Sequence, residues 1–536
     1  MRSLKRMASA TSISYQQGGG FRAQPKKVIF PSAAGTVFAW YSFYIYCTLA
    51  PFFASQFFPR GNPVAEFLST LLLFGVGFVV RPFGALFFGR MGDQVGRRDT
   101  FFITLVVMSL STAFVGILPT FNTIGWIAPI LLFLLRVTQG LALGGEWGGA
   151  VTYVGEHAPS GKRGFYTSWV QTTATLGLVL SLVVTMILRL SIPGEAFWMW
   201  GWRIAFLLSV VLLGISIYIR LQLHETPLFA ELKAQGKRSA HPLQDSLLKM
   251  PNVKYVWLAL FGASAGQGVV WYTGQFHALF FLQNVLGLKD FVICYSLIAI
   301  SLVLGTPFFV FFGSLSDKIG RKWIIMAGCL LPVLTNLTLF HLLAEAVNPA
   351  LVAAMKSAPI TISGLGPDAE KARQNVTARG FSFSGKPVQR ADGVTISVGS
   401  NQLSGYDARA LDAALKLAGY PKIADPSKIN YVGAILVLWV LVIYAAMVYG
   451  PIAAFLVELF PTPIRYTSMS LPYHLGNGVF GGLLPFIAAS VTVATGSIYA
   501  GLWYPILVAL VTAIIGTLFI RETANKDLRA SVGSGD

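Results

Sequence analysis

The chain has 536 residues, of which 54% are hydrophobic and 12% charged, against about 25% charge in a soluble chain. Apolar runs of the length a helix needs to cross a bilayer recur along most of it, which excludes a soluble globular protein. The net charge of +18 does not indicate nucleic acid, because the bases cluster in short loops between apolar runs without interleaved aromatics, the pattern of an inner-membrane protein.

In chain order, residues 1–32 form a basic tail (Arg2, Lys5, Arg6, Arg22, Lys26, Lys27) with no acid and no cleavable signal peptide. Six apolar runs follow at 33–58, 64–89, 101–119, 124–150, 165–189 and 199–220, so 33–220 reads as a six-helix bundle. A polar linker covers 221–252. Runs at 253–284, 290–313 and 323–343 make helices 7–9 within 253–343, and runs at 431–457, 467–494 and 497–520 make helices 10–12 within 431–521. Residues 522–536 form a second tail. The short odd-numbered loops carry only Arg60, Arg189 and Lys289, while the tails and even-numbered loops carry far more Lys and Arg. The charge rule therefore places both termini, the linker and the even-numbered loops in the cytoplasm. The three cysteines, Cys47, Cys294 and Cys329, all sit in apolar runs and read as small buried hydrophobes.

Two decapeptides are copies of one another. Gly89-Arg90-Met91-Gly92-Asp93-Gln94-Val95-Gly96-Arg97-Arg98 precedes helix 3, and Gly313-Ser314-Leu315-Ser316-Asp317-Lys318-Ile319-Gly320-Arg321-Lys322 precedes helix 9. Glu156 and Arg163 before Tyr166-Thr167-Ser168 likewise match Glu458 and Arg465 before Tyr466-Thr467-Ser468. Such repetition indicates duplication of a six-helix unit. The second pair is spaced further apart than the first, so an insertion lies between Lys322 and Glu458, visible as the polar stretch 344–430 on the non-cytoplasmic side. Within it, Phe381–Val398 alternates weakly like short strands, and Asp407–Ala418 reads as one amphipathic helix. Asn375-Val376-Thr377 matches a glycosylation sequon, which has meaning only in a eukaryotic host and is otherwise a chance occurrence.

Two parallel six-helix halves suit alternating access to a site at the membrane midplane. The decapeptides resemble the signature loop of the major facilitator superfamily, and Leu135-Arg136-Val137-Thr138-Gln139-Gly140 resembles its helix 4 motif. Val80-Arg81-Pro82-Phe83-Gly84-Ala85, Gln139 to Glu146, Glu156-His157-Ala158-Pro159, Arg163 to Ser168, Val448-Tyr449-Gly450-Pro451 and Phe460 to Ser468 resemble the metabolite:proton symporter branch, and a long external insert after helix 9 marks one subgroup of it. The resemblance implies an all-α integral membrane fold of twelve transmembrane helices in two pseudo-symmetric bundles, and secondary transport of an organic acid or zwitterionic osmolyte with protons. It also implies a loop that latches the two halves, with Asp93 and Arg97 in the main latch and Asp317 and Arg321 in its counterpart.

Ionisable groups at membrane depth are costly and default to function. Arg81 lies in helix 2, toward its cytoplasmic end, where a structural or gating pair is expected, with a part in proton coupling as the other reading. On helix 4, Arg136, Gln139, Leu143 and Glu146 fall within an arc of about 80°, so one polar face is expected to line the cavity. Arg136 and Gln139 are candidates for substrate contact and Glu146 for carrying the proton, since a carboxyl in low dielectric titrates at raised pH. In helix 7, Gln267, Trp271 and Gln275 share a helical stripe that suits substrate binding. Tyr41 and Tyr444 are further candidates for the substrate site and His474 for coupling, with His277, Tyr449 and Asn477 weaker ones.

Helix 1 departs from the branch. Members usually read Glu-Trp-Tyr-Asp-Phe where this chain reads Ala39-Trp40-Tyr41-Ser42-Phe43, so both acids are absent. An uncoupled facilitator, or a sensor built on a transporter fold, stands as the alternative to symport. An enzyme is not expected: there is no HExxH, no paired cysteine set and no Asp-rich helix motif. The expected partners are a small-molecule substrate, protons and the lipid bilayer, with no nucleic acid, no metal and no cofactor, for a monomer in the inner (plasma) membrane.

Overall fold

The computed structural model describes residues 25–58, 69, 73, 75–220, 227–236, 239–385, 394–524, 526 and 528. Twelve helical segments cross the bilayer. The first six are α1 (Pro25–Phe57), α2 (Arg81–Gln94, with further helical turns at 75–79), α3 (Arg97–Ile117), α4 (Ile127–His157), α5 (Arg163–Ser191) and α6 (Trp202–Arg220). After two linker helices, Pro227–Ala234 and Pro242–Leu247, come α7 (residues 252–285), α8 (Phe291–Ile319) and α9 (Lys322–Val347). Following the insert are α10 (Tyr431–Leu459), α11 (residues 465–495) and α12 (Trp503–Phe519). Helix α1 starts at Pro25, ahead of the apolar run that marks it in the sequence, because proline suits a first helical turn whose N–H groups have no partner.

Small residues let these helices approach closely. A Cβ on Gly84 would run into the backbone of Leu141, and one on Gly140 into the carbonyl of Gly77. Helices α2 and α4 therefore meet backbone to backbone, as membrane helices do where no hydrophobic drive pulls them together. Helices α5 and α8 pack along their length, as do α2 and α11, and these two seams join the bundles.

Helix α7 is not a uniform α-helix. Three π-type segments, Leu260–Ser264, Thr273–His277 and Phe281–Val285, interrupt it. A fourth, Gly476–Gly481, lies in α11 against it. A π turn adds a residue to its turn and rotates the helix beyond it, so residues four apart in sequence leave a common stripe.

The insert folds around a core of its own. Strands β1 (Ile360–Ser363), β2 (Phe383–Ser384), β3 (Thr395–Val398) and β4 (Asn401–Ser404) form one sheet in the order β2-β1-β3-β4. The β1–β2 pair is parallel, and β1–β3 and β3–β4 are antiparallel. Ile360, Ile362, Ile396 and Val398 turn one sheet face toward Ala372 and Val376 of helix Pro367–Ala378 and Leu411 and Leu415 of helix Ala408–Leu417. The all-α expectation thus holds for the membrane part, and the insert adds a small α/β layer. The sequon falls inside a helix, where Asn375 donates to the Tyr406 hydroxyl at 3.1 Å. The insert is anchored on the C-terminal half: Phe383 N–H donates to Gly496 at 2.8 Å, Ala424 N–H to Gly287 at 3.1 Å, and Asn430 N–H to Ala346 at 2.8 Å.

Gly140→Leu should wedge α2 from α4 and cost roughly 1–3 kcal/mol, read as a lowered unfolding midpoint in detergent. The same change at Gly214, where an added Cβ meets nothing within 4 Å, should leave the midpoint within a degree or so of wild type.

Candidate functional site

The face that carries both decapeptides is closed by reciprocal contacts. Asp93 Oδ2 accepts from the backbone N–H and hydroxyl of Thr467, at 3.0 and 2.8 Å, in the first turn of α11. Asp317 does the same at the first turn of α5, accepting from Gly164 N–H and Phe165 N–H, each at 2.8 Å. The first N–H groups of a helix have no partner inside it and carry its positive dipole end. A carboxylate from the opposite bundle satisfies both.

Buried ion pairs reinforce the same face. Arg465 Nη1 lies 2.9 Å from Glu156 Oε1, both side chains fully buried. Arg163 reaches Glu458 at 3.5 Å. Arg321 binds Glu458 at 3.0 Å and Asp317 at 2.8 Å, and donates to Ser316 Oγ at 3.0 Å. The side chain of Arg97, its counterpart in the first decapeptide, lies outside the described residues. The Tyr466 hydroxyl donates to the carbonyl of Gly145, a further tie from α11 to α4.

The centre is aromatic. Trp147 of α4 stacks on Tyr473 of α11, centroids 3.3 Å apart and planes parallel to 1°. The Tyr473 hydroxyl meets that of Tyr449 at 2.6 Å. Gln171 of α5 accepts from the Trp147 indole at 2.8 Å and donates to the Tyr449 carbonyl at 3.1 Å. Tyr44 of α1 stacks near Trp271 of α7 at 5.8 Å, and Phe78 meets Tyr272 edge-on at 5.1 Å. At the opposite face, Phe52 packs on Phe291 at 4.5 Å and Tyr295 donates to the Thr48 carbonyl at 2.5 Å. Contacts between the bundles exist at both faces, which is the occluded arrangement.

Arg81 lies inside this core, fully buried. Its guanidinium sits over Phe78 at 3.8 Å, Phe43 at 4.4 Å and Trp40 at 5.2 Å, with the Tyr272 hydroxyl beside it. No protein acceptor meets Nε, Nη1 or Nη2 in hydrogen-bond geometry, and among the described residues Arg81 forms no ion pair. This corrects the expected structural pair: Arg81 turns toward α1 and α7, away from the charged face. Arg136 sits over the other neighbours of the same ring, 4.4 Å from Phe43 and 4.2 Å from Tyr46, and donates to Gln139 at 2.6 Å.

Several candidates lie elsewhere. The Gln139 and Glu146 side chains bond Thr112 and Thr104 of α3, at 3.0 and 3.3 Å. The polar face of α4 therefore packs inside the N-terminal bundle, and Trp147, one residue on, faces the centre. Tyr41 donates to the Ala205 carbonyl of α6 at 2.6 Å, and Tyr444 accepts from Thr335 of α9 at 3.2 Å, so both hydroxyls point outward from the seam. Gln267 exchanges two hydrogen bonds with Asn477 of α11, at 3.1 and 2.7 Å. Trp271 and Gln275 keep buried polar atoms without a protein partner; Trp271 shares an α-helical segment with Gln267, and Gln275 lies in the π segment that follows. His474 packs edge-on to Trp147 at 6.0 Å, and His277 lies among Phe281 and Phe340. Sequence reasoning missed Phe43, Tyr44, Phe78, Trp147 and Tyr473. The signal available was the dense aromatic run Trp40 to Tyr46, which exceeds what a lipid-facing helix needs. Among the described residues no cluster of His, Cys, Asp and Glu suited to a metal occurs.

Comparison with known proteins agrees with this architecture. A family model described as the Major Facilitator Superfamily matches residues 32–366. The inner membrane metabolite transport protein YhjE of Escherichia coli (strain K12) is 30% identical over 97% of this chain and 100% of its own length. The shikimate transporter of the same organism is 35% identical over 59% of this chain and 72% of its own. A solved structure of the proton:xylose symporter XylE bound to 6-bromo-6-deoxy-D-glucose has a TM-score of 0.61 at 16% identity, covering 95% of this chain and 98% of that one.

The charged face generates two expectations. Asp93→Asn should slow transport several-fold while changing ligand affinity in detergent less than twofold; equal loss of both would argue against a role in bundle separation. Glu522 accepts from the backbone N–H groups of Arg321, Lys322, Thr523 and Ala524, at 2.9, 3.0, 2.9 and 2.9 Å. Burial raises its pKa, but these donors outweigh burial and hold it below the ordinary glutamate value. Its stabilising effect is thus full above about pH 4.3 and is lost as pH falls through the lower folded value. Glu522→Gln should lower the unfolding midpoint at pH 7, and the deficit should shrink as the pH falls below about 4.

Proposed function

Since the chain belongs to the major facilitator superfamily, and is a membrane transporter rather than an enzyme, we propose that it carries a small organic anion by alternating access, with Arg81 receiving the carboxylate. One observation carries this reading: a fully buried guanidinium at the seam, ringed by aromatic faces, that meets no carboxylate of its own among the described residues. Burying a cation is expensive unless it is paired, and cation–π contacts offset only about 0.5–2 kcal/mol. An anionic substrate supplies the missing charge in the occluded state. The Trp271 indole N–H and the Gln275 amide, also buried without protein partners, are available to the rest of the molecule. A relative named as a shikimate transporter supports a carboxylate as the substrate class. In this reading the carrier acts as a monomer in the inner membrane with both termini cytoplasmic, and the decapeptide contacts of Asp93, Asp317 and Arg321 close the cytoplasmic face.

Transport is coupled to protons in the same proposal, with Glu146 as the carboxyl that carries the proton. It is the acid buried in the N-terminal bundle at mid-length of α4, bonded to Thr104. A second reading, an uncoupled facilitator, is favoured by a specific feature: Ala39 and Ser42 stand where relatives of this branch usually carry acids, and both are buried.

Arg81→Gln should weaken organic-acid binding roughly ten- to hundredfold, the loss of a charged hydrogen bond worth about 1.5–3 kcal/mol. Competition by betaine but not by shikimate or succinate would overturn the anionic class. In proteoliposomes, an inward proton gradient should accelerate uptake, and Glu146→Gln should abolish that acceleration while sparing counterflow. Wild-type uptake indifferent to the gradient would establish the facilitator instead, and Ser42→Asp should then introduce proton dependence.

A further inference from the structure

On the face opposite the decapeptides, a cavity of about 630 Å³ lies between the insert and the connection from α7 to α8. Its size falls in the range of small-molecule sites. Four bases line it: Lys289 from the α7–α8 connection, and Arg379, Lys416 and Lys422 from the insert. Asp412 is the acid among the lining residues, and it is already engaged, by Arg379 at 2.6 Å and by Lys422 at 3.5 Å. These are exposed pairs that add little stability, and one acid against four bases leaves a charge of +3 facing the space. The Lys416 side chain is exposed, and its ammonium forms no ion pair or hydrogen bond among the described residues. The floor is apolar: the Phe381 and Tyr420 rings pack with centroids 4.8 Å apart, beside Leu415.

A cationic rim over an aromatic floor selects for a molecule with both characters. We propose that this cavity is a binding site for an organic anion with a flat apolar body, such as an aromatic carboxylate, separate from the central seam. An inorganic anion would satisfy the lysines but gain nothing from Phe381, Leu415 and Tyr420. A neutral aromatic would leave the net charge uncompensated.

The position of the cavity gives binding a mechanical consequence. Its two walls belong to different parts of the chain. The insert wall is carried by helix Ala408–Leu417 and the segment around Arg379, while the other wall ends the last π segment of α7, Phe281–Val285. Gly380, at φ +74°, already lies so close to this end that a Cβ there would meet the carbonyls of Val285 and Asn284. An anion bridging Lys289 to Lys416 and Lys422 ties the end of α7 to the insert, and so biases a helix that lines the seam.

The test uses the full-length protein in nanodiscs, with phthalate as the probe, titrated calorimetrically at fixed ionic strength. Saturable binding is expected. Hydrogen exchange should slow at residues 284–290, 379–381 and 412–422 when phthalate is bound. The K416E/K422E variant changes two exposed side chains, and should weaken phthalate at least tenfold with its unfolding midpoint unchanged. Lys289→Gln should weaken it from the other wall, by a smaller factor. The proposal is overturned by the absence of saturable binding, by protection confined to the central helices, or by affinity unaltered in K416E/K422E. Sulfate binding as tightly as phthalate would overturn the organic class. Because Arg81→Gln leaves this cavity untouched, phthalate protection at 284–290 should persist in it, so this site and the central one fail independently.

Discussion

A carboxylate from one bundle set against the start of a helix in the other is the contact on which the closed basic face depends. Asp93 at α11 and Asp317 at α5 each satisfy N–H groups that no residue of their own helix reaches. Each such charged hydrogen bond is worth about 1.5–3 kcal/mol, enough to hold the bundles together. The contact is also reversible. It sits at a helix end, at the level of the membrane surface, where water can take over both the carboxylate and the N–H groups when the bundles part. The ion pairs behind it, Arg465 with Glu156 and Arg163 with Glu458, follow the same plan with the charges on helix ends.

Duplication explains why these contacts come in twos, and the insert shows where the symmetry ends. The two decapeptides and the two Glu–Arg pairs exchange roles across the pseudo-twofold axis, so each half supplies the acid for the helix start of the other. At the opposite face, among the described residues, the folded cap belongs to the C-terminal half. Its backbone hydrogen bonds reach the α7–α8 connection, the α11–α12 connection and the end of α9. An asymmetric cap on a symmetric machine restrains the two halves differently, and the helix it restrains most directly is the one with three π segments.

The architecture is legible in the sequence because the bilayer simplifies it. Apolar run length, loop charge and a repeated decapeptide each report one physical constraint, and together they specify twelve helices and a pseudo-symmetric pair. Asp93 and Asp317 can be placed at helix ends for the same reason. The centre is less legible. Helical periodicity groups Arg136, Gln139 and Glu146 of α4 on a face expected to line the cavity, yet that polar face satisfies itself against Thr104 and Thr112 of α3, and its neighbour Trp147 faces the seam. Periodicity gives the width of a polar face but not the direction it points. On α7, the stripe of Gln267, Trp271 and Gln275 assumes 3.6 residues per turn; the phase holds from Gln267 to Trp271, and the π segment Thr273–His277 breaks it at Gln275. Periodicity also misses helix Pro367–Ala378 in the insert, although Pro367, Asp368 and Glu370 stand in its first turn, where proline and acids favour a start.

The contrast between the two sets of buried charges bears on how such a carrier cycles. At the basic face every described buried arginine has a carboxylate within 3.5 Å, and the balance between closed and open depends on contacts the protein makes with itself. At the seam, Arg81 has aromatic faces in place of a carboxylate, and the residues of α1 beside it are Trp40 and Phe43, while Ala39 packs with Leu105 and Leu213 and Ser42 meets Thr112 of α3. An acid in contact with Arg81 would neutralise the guanidinium whether or not substrate were present, so that substrate would have to compete with it or follow a proton onto it. Without that acid, closing the seam over an unpaired cation carries a desolvation cost of several kcal/mol. A bound anion removes the cost, and it does so only in the state where the seam is closed. Differential stabilisation of one state over another is what allows a ligand to shift a conformational equilibrium. In the proposed reading, control of occlusion therefore lies with the charge of the substrate itself.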